Sequence, residues 1–234
     1  MTEGLRIQQP ASGYRFSIDA LILAWHLWPQ SGDRVVDLGT GCGVIALILA
    51  RRCPRIRITG IEIQEELAAL AAANTEANGL AERIRILQQD LREVSVLQTG
   101  PADCVVCNPP HTARACGRVN PQQQRAIARH EIAMTVADLF AASVRLLKQG
   151  GRLATMYPAA RREEVHSCLR RFGFAARRER MVHFKPKQPA DRFYLEAQRG
   201  PSEEPYKILP PLVLHAPDGS YTQGARAILD SAAG

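Results

Sequence analysis

A chain of 234 residues, 46% of them hydrophobic, is long enough for one large domain with a sizeable core. No stretch has the length and apolar purity of a membrane helix, and the opening MTEGLRIQQPASGYRF has no signal-peptide hydrophobic region, so a cytoplasmic protein is the expectation. The net charge of +7 argues against an acidic, self-solvating chain and suits a polyanionic partner.

From about residue 33 to 160, apolar runs alternate with helical patterns. RVVDLG reads as a strand and GVIALILARRC as a helix; IRITGIE follows as a strand and QEELAALAAANTEANG as a helix stopped by Gly79. RIRILQQD and ADCVVCN are two further strands, separated by a short polar helix or turn. TVADLFAASVRLLKQGG reads as an amphipathic helix capped by Thr135 and ended by Gly150-Gly151. RLATMYP then reads as a fifth strand and AARREEVHSCLRRFG as a helix. This alternation predicts an α/β fold with a doubly wound, mostly parallel sheet. ARRERMVHF and RFYLEAQRG, joined by the turn KPKQPAD, predict a hairpin that closes the sheet with an antiparallel edge. Residues 1–200, with a helical N-terminal segment over 1–32, form the expected domain, and the Pro- and Gly-rich residues 201–234 an extension.

The six cysteines are scattered, as in a reducing compartment. Cys104 and Cys107 form a C-x-x-C, but on a strand alternation sends their sulfurs to opposite faces, and no second Cys/His pair has zinc spacing. His130-Glu131 begins a zinc-protease-like pattern that fails at Met134. No metal is expected.

The basic residues, 26 of them arginine, cluster. One group spans Arg161 to Lys187, and a second, Arg114, Arg118, Arg125 and Arg129, follows the sequence NPP directly. Either is an ordinary solvated face or a surface for a polyanion.

The chemistry concentrates at the carboxyl ends of the predicted strands. DLGTGCG, Asp37 to Gly43, carries glycines at 39, 41 and 43, which let the backbone turn sharply and approach a ligand at a helix start. The spacing is not the G-x-G-x-x-G of a nicotinamide site. It resembles the first motif of class I S-adenosylmethionine-dependent methyltransferases, in which the acid, here Asp37, suits the amine of the cofactor. Glu62 ends the second strand, where two oxygens suit the ribose hydroxyls, and Asp90 ends the third, where a carboxylate suits the adenine amino group. The plain reading of each is a helix cap, but three such residues at successive strand ends share one crevice. Thr40, Ile63 and Leu91, beside these residues, complete the expected cofactor set with Gly39, Gly41 and Gly43.

VVCNPPH, Val105 to His111, resembles the [N/D/S]-P-P-[Y/F/W] motif of amino-group methyltransferases. That resemblance implies two acceptors, the Asn108 side-chain oxygen (also expected beside the cofactor) and the Pro109 carbonyl. Both take hydrogens of a target NH2 and steer its lone pair, while Pro110 stiffens the turn. His111 departs from the usual aromatic and stacks more weakly on a flat base.

Across most of its length the chain resembles the bacterial tRNA (adenine-N6)-methyltransferases that modify the adenosine just 3′ of the anticodon in a valine tRNA. The similar segments include QPASGYRFSIDALILAWHL, DLGTGCGVIALILA, GIEIQEELAALAAANTEANGL, HFKPKQPADRFYLEAQRG and PPLVLHAPDGSYTQGARAIL. The resemblance implies S-adenosylmethionine as cofactor, tRNA as partner, and Ser17 as the cap of a helix near the cofactor. Phe16 or Tyr14 would lie over the adenosyl group, and the four arginines of the loop 112–129 against RNA backbone. The rivals are the same chemistry on ribosomal RNA or a protein glutamine, and a non-catalytic RNA-binding protein on this fold.

Overall fold

The strands that carry these motifs lie side by side because each has apolar residues for both faces. In the computed structural model, which describes residues 4–10, 15–109 and 134–233, one sheet runs in the order β3-β2-β1-β4-β5-β7-β6-β8, with β9 also paired to β6. β1 (Arg34–Leu38), β2 (Arg57–Glu62), β3 (Ile84–Gln88), β4 (Ala102–Cys107) and β5 (Leu147–Pro158) are parallel neighbours. The chain builds outward from β1 to β3, then returns to place β4 on the other side of β1. That reversal opens a crevice at the carboxyl ends of β1 and β4, where such sheets bind ligands.

Alternation divides the core in two. Val35, Cys104, Val106 and Met156 meet α1 (Ile18–His26), α2 (Val44–Arg52) and α7 (Gln223–Ala233) on one face. Val36, Val105, Cys107 and Tyr157 meet α5 (Val136–Leu146) and α6 (Arg162–Arg171) on the other, and the one-turn α4 (Val96–Thr99) leads into β4. Cys104 and Cys107 therefore face opposite layers, as the strand period requires. Both are fully buried.

β6 (Phe174–His183) and β7 (Arg192–Arg199) form the antiparallel hairpin, with β7 inserted between β5 and β6. Beyond it the C-terminal segment adds two short strands parallel to β6, β8 (Lys207–Ile208) and β9 (Leu212–Val213). Leu212, Leu214, Ala225 and Ile228 are buried in the first core, so this segment packs as part of the sheet layer. One expected boundary moves. α5 is capped by Thr135 as predicted, but it ends at Leu146, not at Gly150, and Leu147 begins β5. Leu147 pairs with Ala102, is buried, and accepts a hydrogen bond from the Arg199 guanidinium on its carbonyl; sheet pairing wins over helix propensity there.

Ahead of α1, capped by the Ser17 hydroxyl, residues 4–10 run along α3 (Glu65–Ala77). Asn78 Oδ1 accepts the Arg6 N–H at 3.0 Å and Asn74 Oδ1 the Gln8 N–H at 2.8 Å, so two amides one helical turn apart bind this segment like a neighbouring strand. Among the described residues no helix is long and apolar enough to cross a membrane.

Candidate active site

The turn after β1 curls over the end of β2. Gly39 and Thr40 both donate backbone N–H to the Ile61 carbonyl, at 2.8 and 3.0 Å, and Gly41 N–H donates to Glu62 Oε2 at 2.9 Å. The path needs left-handed backbone at Gly39 (φ 72°), Gly41 (φ 58°) and Gly43 (φ 86°), a region closed to most side chains. A Cβ on Gly39 would meet nothing within 4 Å, so the backbone there borders open space, while one on Gly43 would lie 3.4 Å from Ala71 Cβ. The first glycine opens the turn to a ligand and the last brings α2 against α3.

Asp37 is fully buried at the end of β1. Its Oδ2 accepts the Thr40 hydroxyl at 2.6 Å, while Oδ1 finds no hydrogen-bond partner among the described residues. Burial above all, with the neighbouring Glu62 adding to it, pushes the Asp37 carboxyl up to about 7, although the Thr40 hydroxyl pulls the other way. Thr40 therefore orients Asp37 and is itself buried. Glu62 is also buried, and its oxygens hold local structure: Oε2 the Gly41 N–H, Oε1 the Gln64 N–H at 3.0 Å. Oε1 also takes the Gln64 side-chain amide in a long bond of 3.5 Å, whereas Oε2 keeps a second lone pair for a ligand hydroxyl.

The third acid is engaged differently. Asp90 takes the Arg92 guanidinium on both oxygens, at 2.5 to 3.0 Å, and the Arg92 N–H on Oδ1, and these bonds hold its carboxyl below the usual carboxylate range. Ile63 is 44% exposed at the rim, an apolar surface open to a flat ring, whereas Leu91 is buried in the second core. Phe16 packs half-buried against the first core, its N–H held by Gln9 Oε1 at 3.2 Å. Tyr14 lies outside the described residues.

On the other side of the switch point, β1 and β4 run in the register Asp37↔Val106, so Gly39 and Asn108, each one residue past the end of its strand, lie at the same edge of the sheet. Asn108 Oδ1 is buried and, like Asp37 Oδ1, has no partner among the described residues. Pro109 follows, buried, with no cis peptide bond among the described residues. Two orphaned acceptors on adjacent strands are costly without a ligand and suit one that brings an ammonium group and an amino N–H to the same crevice. Pro110, His111 and the arginines 114, 118, 125 and 129 lie outside the described residues.

Asn74 is a part of the site that the motifs did not indicate. Buried in α3, it donates through Nδ2 to the Cys42 carbonyl of the glycine turn and to the Gln8 carbonyl, both at 2.9 Å. It clamps the N-terminal segment, α3 and the glycine turn together. The visible signal was an asparagine inside the alanine-rich run AAANTEANG, one turn before Asn78. His26 is structural: it donates to the Ile22 carbonyl, its ring lies 4.7 Å from that of Tyr194 at a tilt of 34°, and burial depresses its imidazole to about 4, so it stays neutral.

The fold and the crevice at its switch point define a class I methyltransferase, and the methyltransferase small domain family matches residues 12–179. A tRNA1(Val) (adenine(37)-N6)-methyltransferase of Aeromonas hydrophila is 32% identical over 206 residues, 87% of this chain and 84% of the relative. One from Porphyromonas gingivalis is 30% identical over 226 residues, 92% and 87% of the two chains. The chain belongs to the tRNA1(Val) (adenine(37)-N6)-methyltransferase family. Among solved structures, a protein of Agrobacterium tumefaciens described as a predicted O-methyltransferase superposes with a TM-score of 0.72 over 92% of this chain and 97% of its own, at 21% identity, a likeness of fold alone. TrmN from Thermus thermophilus gives 0.54 at 25% identity, over 77% of this chain and 48% of its own.

Proposed function

We propose that this protein transfers a methyl group from S-adenosylmethionine to the N6 amino group of the adenosine next to the anticodon in a valine tRNA. The observation that carries the reading is the pair of buried, unpartnered oxygens, Asp37 Oδ1 and Asn108 Oδ1, at the ends of adjacent strands. When bound, S-adenosylmethionine supplies an electrophilic methyl group on a sulfonium. Asp37 holds the amine of the cofactor, directly or through water, and the Thr40 hydroxyl keeps the carboxylate aimed. Glu62 offers its free lone pair to the ribose, and Ile63 covers the adenine.

Adenine's exocyclic nitrogen is a poor nucleophile because its lone pair is delocalised into the ring. Asn108 Oδ1 and the Pro109 carbonyl accept its two hydrogens and turn the lone pair toward the methyl group. Proline fixes the second acceptor in place, so little reorganisation accompanies the reaction. Positioning supplies most of the rate, and the methylated nitrogen, strongly acidic while cationic, passes its proton to water, so no strong base is needed. Pro110, His111 and the four loop arginines would complete the substrate side, stacking the base and meeting phosphates. A base in a tRNA loop is already partly unstacked, which lowers the cost of bringing it into the crevice.

The test is methyl transfer from labelled S-adenosylmethionine to unmodified total tRNA, followed by nucleoside mass spectrometry. Wild type is expected to produce N6-methyladenosine. Asn108→Ala should lower kcat by about 10²–10³-fold, the usual loss when one preorganised hydrogen-bond partner is removed, a larger effect than on cofactor affinity. Cofactor binding without any methylated tRNA would overturn the substrate and leave the reaction class.

A further inference from the structure

Because β7 is antiparallel to β5, and β6 antiparallel to β7, β6 points the same way as β4. β9 runs parallel to β6. The turn after β6 and the chain leaving β9 therefore emerge at the end of the sheet where Asn108 lies. Three rings meet there. His215 stacks between neighbours on either side in sequence, with ring centroids 6.3 Å from Phe184 (18° between planes) and 4.8 Å from Tyr221 (27°).

The stack is built on backbone. His215 N–H donates to the Phe184 carbonyl at 3.0 Å, His215 Nδ1 bonds the Gly219 carbonyl at 3.1 Å, and His215 and Tyr221 form a β-bridge. Asp191 Oδ2 holds the Phe184 N–H at 2.8 Å. Yet Phe184 and Tyr221 are each 41% exposed, so fixed aromatic rings are left open to solvent. Lys185, Lys187 and Arg226 are exposed on the same segments, and the exposed acid of the β9 turn, Asp218, accepts the Ser220 N–H and hydroxyl and also feels the charge of Arg226.

We infer that Phe184, His215 and Tyr221 form a stacking platform for unpaired nucleotides of the RNA substrate, with Lys185, Lys187 and Arg226 meeting the phosphates. Open rings with flanking cations and no paired base-reading groups are what sequence-tolerant single-strand binding uses. β6 is three strands from β4, about 14 Å at the usual strand spacing. That is roughly four stacked nucleotides at about 3.4 Å each, within one loop of the target base. The inference rests on the proposed RNA substrate and gives the C-terminal segment a task.

The experiment measures binding of a fluorescein-labelled anticodon stem-loop by anisotropy and its methylation, for wild type, Phe184→Ala, Tyr221→Ala and Tyr221→Phe. Each alanine variant should weaken RNA binding and raise KM about tenfold, the loss typical of one stacked base, with kcat and cofactor affinity unchanged. Tyr221→Phe should bind like wild type. Ultraviolet crosslinking of 5-iodouridine-substituted RNA, read by mass spectrometry, should tag Phe184 or Tyr221. Alanine variants that keep wild-type KM, or crosslinks only elsewhere, would overturn the platform and leave the enzyme reading intact. RNA bound and crosslinked at these rings but never methylated would overturn the reading of the reaction alone, and wild type that binds no RNA would overturn both.

Discussion

Asp37 ties chemistry to pH. In the folded chain its carboxyl titrates near 7, against an ordinary value of 3.8, because burial disfavours the charge. Between those two values the folded state binds more protons than the unfolded chain, so Asp37 makes the ligand-free protein less stable as pH rises from about 4 to 7. A cationic amine reverses the preference, since it favours the ionised form. Cofactor affinity should therefore rise from about pH 5.5 to 7.5, then fall as the α-amino group loses its proton near 8. Calorimetric titration across that range checks it, and Asp37→Asn should flatten the rise below pH 7. The residue type at position 37 was legible from D-x-G-x-G-x-G; its raised titration was not, because that comes from the burial of the strand end and from Glu62, against the pull of the Thr40 hydroxyl.

At the scale of elements, Asn74 joins three pieces of chain. Asn74→Ala removes one bond accepted from Gln8 N–H and two donated, leaving the buried Cys42 carbonyl and the part-buried backbone of Gln8 unpaired. It should cost about 2–4 kcal/mol, measured by denaturant or thermal unfolding, and should weaken cofactor binding as well. Asn78→Ala, on the exposed side, should cost less. A second junction is Glu179 on β6, buried and bonded by Arg162 and His166 of α6 and by Tyr206 ahead of β8. Burial alone would raise its carboxyl; the hydrogen bonds outweigh that and hold it low, so this staple contributes above about pH 4.5 and is lost as pH falls below its depressed value. Neither junction belongs to a motif. Each brings together residues far apart in sequence, which periodicity cannot show.

Over the whole molecule, the +7 charge sets how the enzyme meets its substrate. Binding of the anticodon stem-loop should weaken by at least tenfold between about 50 and 200 mM salt, as counterions return to the phosphates, while cofactor affinity stays nearly constant. A flat salt response in anisotropy titrations would favour a protein amide as the methyl acceptor.

The parallel centre of the sheet, its two-sided core and the strand-end positions of Asp37, Glu62, Asp90 and Asn108 were determined by the sequence itself. Those features follow from local periods and from glycine turn chemistry, which act within a few residues. Tertiary structure decided what distant pairing controls: the early end of α5 at Leu146 and the clamp at Asn74. It also drew the tail after Gly200 into the sheet. The reason is that β6 would otherwise leave open backbone groups at an edge, and only the folded sheet brings Leu212 and His215 within reach of them.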